Sequence, residues 1–232
     1  MKQTLQRLLV LGLLLLAGRT ALAQHGHLNA GAVGTSQGDA LRFANGAIFA
    51  ESSGYVKQLT PATTGARVGY YAGSITLTAL PGTLANGGPA VGAPALGSFI
   101  QYGIVSVTGP AGGQFAFWEE GATTPTISYA AGYSASTPTL IGLSDASIGA
   151  GTAGADPFGH LHGRNFTATV PGEYVVGFKL FDTSVNGAAG GAIHTSSEVL
   201  NVKFAAVPEP GVVALFAIGV PLVLWGAVRR RA

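Results

Sequence analysis

The 232-residue chain has no cysteine and only five histidines, which excludes a disulfide framework and any thiolate metal site. Its 12 Lys and Arg against 10 Asp and Glu give a formal charge of +2, but the excess sits at the two ends. Residues 24–207 carry six basic against nine acidic residues, a net of −3, which leaves no basic footprint for nucleic acid.

Residues 1–23 read as a secretory signal peptide. Lys2 and Arg7 form the basic start, residues 8–17 the apolar core, and Ala21-Leu22-Ala23 a small-x-small cleavage site. Processing by signal peptidase would leave Gln24 at the new N-terminus, with His25-Gly-His27 directly behind it. The apolar core is short for a bilayer span, so cleavage is expected rather than retention as an anchor.

Residues 24–206 have the size of one domain, and their texture is β. Segments 67–80, 98–107, 114–119, 165–170, 173–182 and 196–204 are rich in aromatic and β-branched residues, and Gly, Pro, Ser and Asn separate them. Val170-Pro171-Gly172-Glu173 is a turn signal, because proline presets one central residue and glycine accepts positive φ at the next. No segment has a helical period. The expected fold is all-β, an antiparallel β-sandwich in which 81–97 and 129–156 are long Gly/Ala-rich loops.

Histidine at i and i+2 on an extended backbone puts both imidazoles on one face, so His160-Leu161-His162 is half of a metal site. Followed by twos, His160 leads through His162 and Arg164 to Phe166, Ala168 and Val170, and His194 leads through Ser196 and Glu198 to Leu200, Val202 and Phe204. Both series predict histidine at the polar end of a core-facing strand face, with those ends meeting at one mouth of the sandwich. The series from His25 through His27, Asn29, Gly31 and Val33 is weaker. Neutral imidazole suits Zn²⁺, with Cu²⁺ and Ni²⁺ as alternatives. Asp156 and Glu198 are candidates as further ligands or as acceptors orienting an imidazole. Arg164 is expected to pair with Asp156. Plainer readings are a solvated tail for His25 and His27 and a surface loop for His194.

At the C-terminal end, 207–232, Val207-Pro208-Glu209-Pro210 precedes an uncharged apolar stretch, 211–228, and then Arg229-Arg230-Arg231. The stretch is long enough for a transmembrane helix, and the arginines would hold its end in the cytoplasm. A simple tail anchor has these features too. The order and spacing of the three parts resemble the PEP-CTERM sorting signal of exopolysaccharide-producing Gram-negative bacteria. That resemblance implies an inner-membrane intermediate, cleavage near Pro208 by an exosortase-type protease, and delivery to the periplasm, outer surface or extracellular matrix.

A wider resemblance rests on Gln114-Phe-Ala-Phe-Trp-Glu-Glu-Gly121, Asp156-Pro-Phe-Gly-His-Leu-His-Gly-Arg-Asn-Phe166, Pro171-Gly-Glu-Tyr-Val-Val-Gly-Phe-Lys-Leu-Phe-Asp182 and Ile193-His-Thr-Ser. Together they resemble a family of Zur-repressed PEP-CTERM proteins and, more distantly, actinobacterial surface-anchored His-x-His repeat domains. The resemblance implies expression under zinc limitation and a role in extracytoplasmic zinc acquisition, storage or handling, with a zinc transporter component as a partner. It makes His160, His162, His194, His25 and His27 the metal-binding candidates. Trp118 and Glu119 fall in a shared motif, where a core aromatic and a solvated carboxylate are the plainer roles.

Two other function classes compete. Gly154, His160 and His162 fit the start of a cupin motif, but Thr167 stands where that pattern has a glutamate ligand, and no His-Glu-x-x-His helix is present. A structural matrix or adhesion protein without a metal also accommodates the β texture and the sorting tail.

Overall fold

The computed structural model describes residues 26–208 except 85 and 87. The expected signal peptide, His25 and the apolar stretch 211–228 lie outside the described residues. Among the described residues no helix is long and apolar enough to cross a membrane.

The described chain is β throughout apart from one short helix, α1 (Gly46–Phe49), and a few 3₁₀ turns. In chain order the strands are β1 (His27–Ala32), β2 (Leu41–Phe43), β3 (Val56–Pro61), β4 (Tyr71–Gly73), β5 (Thr76–Ala79), β6 (Ile100–Thr108) and β7 (Gln114–Trp118). They continue with β8 (Ile127–Ala130), β9 (Tyr133–Ser134), β10 (Leu140–Gly142), β11 (Gly159–His160), β12 (Asn165–Ala168), β13 (Gly172–Asp182) and β14 (Leu200–Ala206).

Ten strands form one large sheet, ordered β10-β6-β13-β14-β3-β4-β12-β7-β8, with β9 also against β6. Side chains alternate in and out with the period of two that an extended chain imposes. Tyr174, Val176, Phe178 and Leu180 on β13, Val202 and Phe204 on β14, and Phe115 and Phe117 on β7 are all buried. Rings from strands that do not pair still meet. Phe166 on β12 lies 5.7 Å from Phe178 on β13, and Tyr102 on β6 lies 6.2 Å from Phe117 on β7, centroid to centroid. A flat sheet would hold such rings apart, so this one is curled into a nearly closed, barrel-like form around an aromatic core.

The other sheet has four strands, ordered β11-β5-β1-β2. Its inner face carries Leu28, Ala30, Ala32, Leu41, Leu77 and Ala79, which join the same core. The alternation therefore puts His27, Asn29, Thr76, Thr78 and His160 on its outer face.

Four expectations are corrected here. The pairing is not purely antiparallel, because β1 runs parallel to β5 and β14 parallel to β3. Segment 67–80 is two strands rather than one: β4 pairs with β3 and β12 in the large sheet, whereas β5 pairs with β1 and β11 in the small one. Segment 129–156 is not a plain loop, since it holds the end of β8 and all of β9 and β10. The last expected strand starts late, at Leu200, because the Ser197 hydroxyl accepts the Leu180 N–H ahead of it at 2.9 Å. At 170–173 the chain bends directly into β13 instead of closing a hydrogen-bonded turn, with Gly172 at φ +136° and the Tyr174 hydroxyl donating to the Val170 carbonyl at 3.0 Å.

Candidate metal centre

The site is built on the outer face of the small sheet. The Asn45 side chain clamps β1 from its edge, accepting the Asn29 N–H at 2.8 Å and donating to the His27 carbonyl at 2.7 Å. This fixes the backbone that carries His27. On the far side, β11 is held against β5 with His160 directly opposite Thr78. Gly159 precedes it, and a side chain there would overlap the Leu143 carbonyl oxygen, so only glycine lets the chain pass.

Asp156 anchors the approach to β11. Its carboxylate accepts the Gly82 and Thr83 N–H groups at 2.8 Å each, the Phe158 N–H at 2.9 Å and the Thr83 hydroxyl. It thereby ties the exit of β5 to the entry of β11. Burial on its own would raise the Asp156 pKa; the hydrogen bonds from Thr83, Gly82 and Phe158 outweigh it and hold the carboxyl below its ordinary range.

On this frame three imidazoles gather. The ring centroids of His160 and His162 are 4.3 Å apart, those of His27 and His160 4.8 Å, and those of His27 and His162 6.5 Å. Three imidazoles bound tetrahedrally at about 2.0–2.1 Å would have centroids roughly 5 Å apart, against which one pair here is closer and one is wider. The donor nitrogens are gathered rather than converged: among the described residues no three His, Asp or Glu groups stand ready to hold an ion. His27 and His160 are half-buried and His162 is exposed. Burial, followed by the charges of His162 and His27, lowers the His160 pKa. The ring is accordingly neutral, and so a competent donor, at neutral pH.

Under these rings lies a residue that the sequence reading missed. The Thr78 hydroxyl oxygen is 3.3 Å from His27 Nδ1 and 3.2 Å from His160 Nδ1. The alternation in Thr76-Leu77-Thr78 signals a two-faced strand, but nothing local says that histidines flank it on both sides.

No family model, curated protein or solved structure matches the chain.

The remaining candidates are placed elsewhere. His194 is buried, with Nε2 accepting the Ala95 N–H at 2.8 Å and Nδ1 3.0 Å from the Asp39 carbonyl, so both nitrogens are engaged. Neither a ligand role nor a surface-loop role fits that position. Asp156 has its carboxylate filled by the loop, and Glu198 is exposed in the approach to β14. Arg164 pairs with Glu119 instead of Asp156, donating from Nε at 2.6 Å and from Nη2 at 3.1 Å, while Nη1 reaches the Gly142 carbonyl at 2.6 Å. Glu119 is therefore half of an ion pair. Trp118 is buried as expected and donates its indole N–H to Thr167 at 2.8 Å, which gives the position of the missing cupin glutamate a structural task.

The alternation expected to carry His160 into the core strand fails between 161 and 164. That irregular stretch takes the chain from β11 in one sheet to β12 in the other, so His160 and Phe166 share no face.

Proposed function

We propose that this chain is an exported protein that binds a divalent transition-metal ion, zinc in first place and copper or nickel as alternatives, through His27, His160 and His162. The observation that carries the reading is the gathering of these imidazoles, from two strands that do not pair and the segment beyond one of them, at 4.3–6.5 Å between ring centroids. Their donors are neutral nitrogens, which match the borderline character of these ions. Closing the set asks for side-chain rotation, for which exposed His162 has room. A fourth position is left to water or to a second donor.

The wider role proposed is zinc handling under zinc limitation at or beyond the inner membrane, and it is supported by the sequence resemblance. Removal of residues 1–23, transit as a membrane intermediate through 211–228, and processing near Pro208 belong to the same reading. Val207 still donates to the Leu59 carbonyl at 3.0 Å at the end of the sheet. Cleavage near Pro208 would thus release an intact domain, taken as a sandwich of two sheets.

The test is the metal content and affinity of the full-length chain, purified in detergent without a histidine tag, beside the His160→Ala/His162→Ala double variant. One zinc per chain, lost in the double variant, is the expected result. A folded protein that takes up none of zinc, copper or nickel would overturn the reading and leave a surface matrix or adhesion protein.

A further inference from the structure

We propose that Thr78 is the positioning residue of this site, a role that rests on the metal-binding reading above. Its hydroxyl holds the Nδ1 side of both His27 and His160, so that in the metal complex each ring keeps its proton on Nδ1 and presents Nε2 to the ion.

The argument begins from what a hydroxyl can do. It has one proton and two acceptor lone pairs. Thr78 Oγ1 stands within hydrogen-bond reach of two Nδ1 atoms, at 3.3 and 3.2 Å. It can donate to only one of them. If both contacts are hydrogen bonds, at least one imidazole donates from Nδ1, and in a neutral ring that leaves Nε2 bare.

Metal binding resolves the remaining choice. With an ion on both Nε2 atoms, both Nδ1 atoms carry protons, and the two lone pairs of Oγ1 accept them while the Thr78 proton turns away. Binding through Nδ1 on either ring would instead break that ring's bond to Thr78. The hydroxyl therefore selects one nitrogen on each ring and one tautomer.

The sheet explains why threonine serves here. β5 lies between β1 and β11, so an outer-face side chain on it can reach toward both flanking strands. Thr78 faces His160 in the antiparallel pair, and in the parallel pair it lies two residues beyond Thr76, the partner of His27. Thr78 is 7% exposed, so water has little access to replace the hydroxyl. β-branching restricts its χ1, which keeps the oxygen in place.

The experiment uses the full-length chain with Thr78→Val, which keeps the shape and removes the hydroxyl, and Thr78→Ser, which keeps the hydroxyl. Nitrogen-15 NMR of the imidazoles, assigned with single-histidine variants, reads the tautomers without metal. Titration with zinc reads affinity, and thermal unfolding checks the fold. In the wild type at least one of His27 and His160 should be protonated on Nδ1, and both should be in the zinc complex. Thr78→Val should mix the tautomers and weaken zinc binding by about 10- to 100-fold, the usual cost of losing an orienting partner, with Thr78→Ser close to wild type. Zinc affinity unchanged in Thr78→Val overturns the proposal. So does a wild type whose two rings both carry the proton on Nε2, a result that needs no variant to fold. A wild type that binds no metal yet holds the Nδ1–H tautomer, lost in Thr78→Val, would sink the metal reading and leave Thr78 as the residue that sets the rings.

Discussion

His27 and His160 stand 4.8 Å apart, ring centroid to ring centroid, although β5 runs between the strands that carry them. Adjacent strands are about 4.7–4.9 Å apart, so strands on either side of a third are separated by nearly 10 Å. The two rings must therefore lean toward each other over Thr78. A pair of imidazoles brought together across an intervening strand is a relationship that neither strand produces alone.

The first prediction is that His27→Ala abolishes tight zinc binding as effectively as loss of the His160-x-His162 pair. Removing a ligand should weaken affinity by more than about 100-fold, beyond the range for an orienting partner. Stability should change by less than about 1 kcal/mol, because the ring lies on the outer face and is half-buried. Titration of the variant with zinc and a urea melt check both halves, and near-wild-type affinity would remove His27 from the site.

For His194 the expectation is reversed. His194→Ala leaves the Ala95 N–H and the Asp39 carbonyl without their buried partner, which should cost about 2–4 kcal/mol in urea unfolding. Zinc affinity should stay within about twofold of wild type wherever the variant is folded, since the ring's two nitrogens are occupied by backbone. A large loss of zinc from a folded His194→Ala protein would reinstate it as a ligand.

The difference between these two histidines also shows how far the sequence could be read. Aromatic alternation located β6, β7, β12 and β13, because a strand with one buried face writes its period directly into the chain. It could not report which sheet a strand joins. The 67–80 segment reads as one run, yet it changes sheets between β4 and β5, and residues 161–164 break the alternation from His160 to Phe166 for the same reason. The His160-x-His162 pair was legible because it is local. The association of His27 with it depends on a parallel β1/β5 pairing, and Thr78 carries no mark of its place beyond being a polar residue on a strand. His194, Asp156 and Arg164 were misplaced because the groups that engage them come from distant loops and turns.

Asp156 gives a prediction at acid pH. Its pKa is lower in the folded protein than the ordinary value of 3.8, so the unfolded chain binds the proton more tightly. The stabilisation is thus full above about pH 4 and is lost as pH falls through the folded value. Asp156→Asn should cost about 1–3 kcal/mol at pH 7, because the amide nitrogen cannot accept the N–H groups that the carboxylate oxygens take. The same variant should show a flatter loss of stability below pH 4 in acid-dependent urea melts; an unchanged acid slope would place the titrating group elsewhere.

Gly159 tests whether the backbone frame, apart from any ligand, sets the site. A Cβ at this position would overlap the carbonyl oxygen of Leu143, a backbone group that cannot rotate away. Gly159→Ala should therefore push β11 off its path beside β5, destabilise by about 1–3 kcal/mol as overpacking does, and weaken zinc binding with all three histidines intact. Equal zinc affinity in the alanine variant would show that His160 does not depend on this approach.

The last prediction concerns protons on the histidines themselves. His160 is held below the ordinary value of 6.5 by burial first, and then by the charges of His162 and His27. With the folded value below the unfolded one, the metal-free protein is fully stabilised above about pH 6.5 and loses stability as pH falls through the folded value. In His162→Ala one repelling charge is gone and the burial stays, so the His160 pKa should rise part of the way toward 6.5 in NMR titration. The acid-side loss of stability attributable to His160 should shrink with it. Zinc should be displaced over the same falling pH range, since a protonated imidazole has no lone pair to give, and the displacement should take up more than one proton per ion. A zinc affinity that is flat from pH 7.5 to about 5.5 would exclude histidine as the donor.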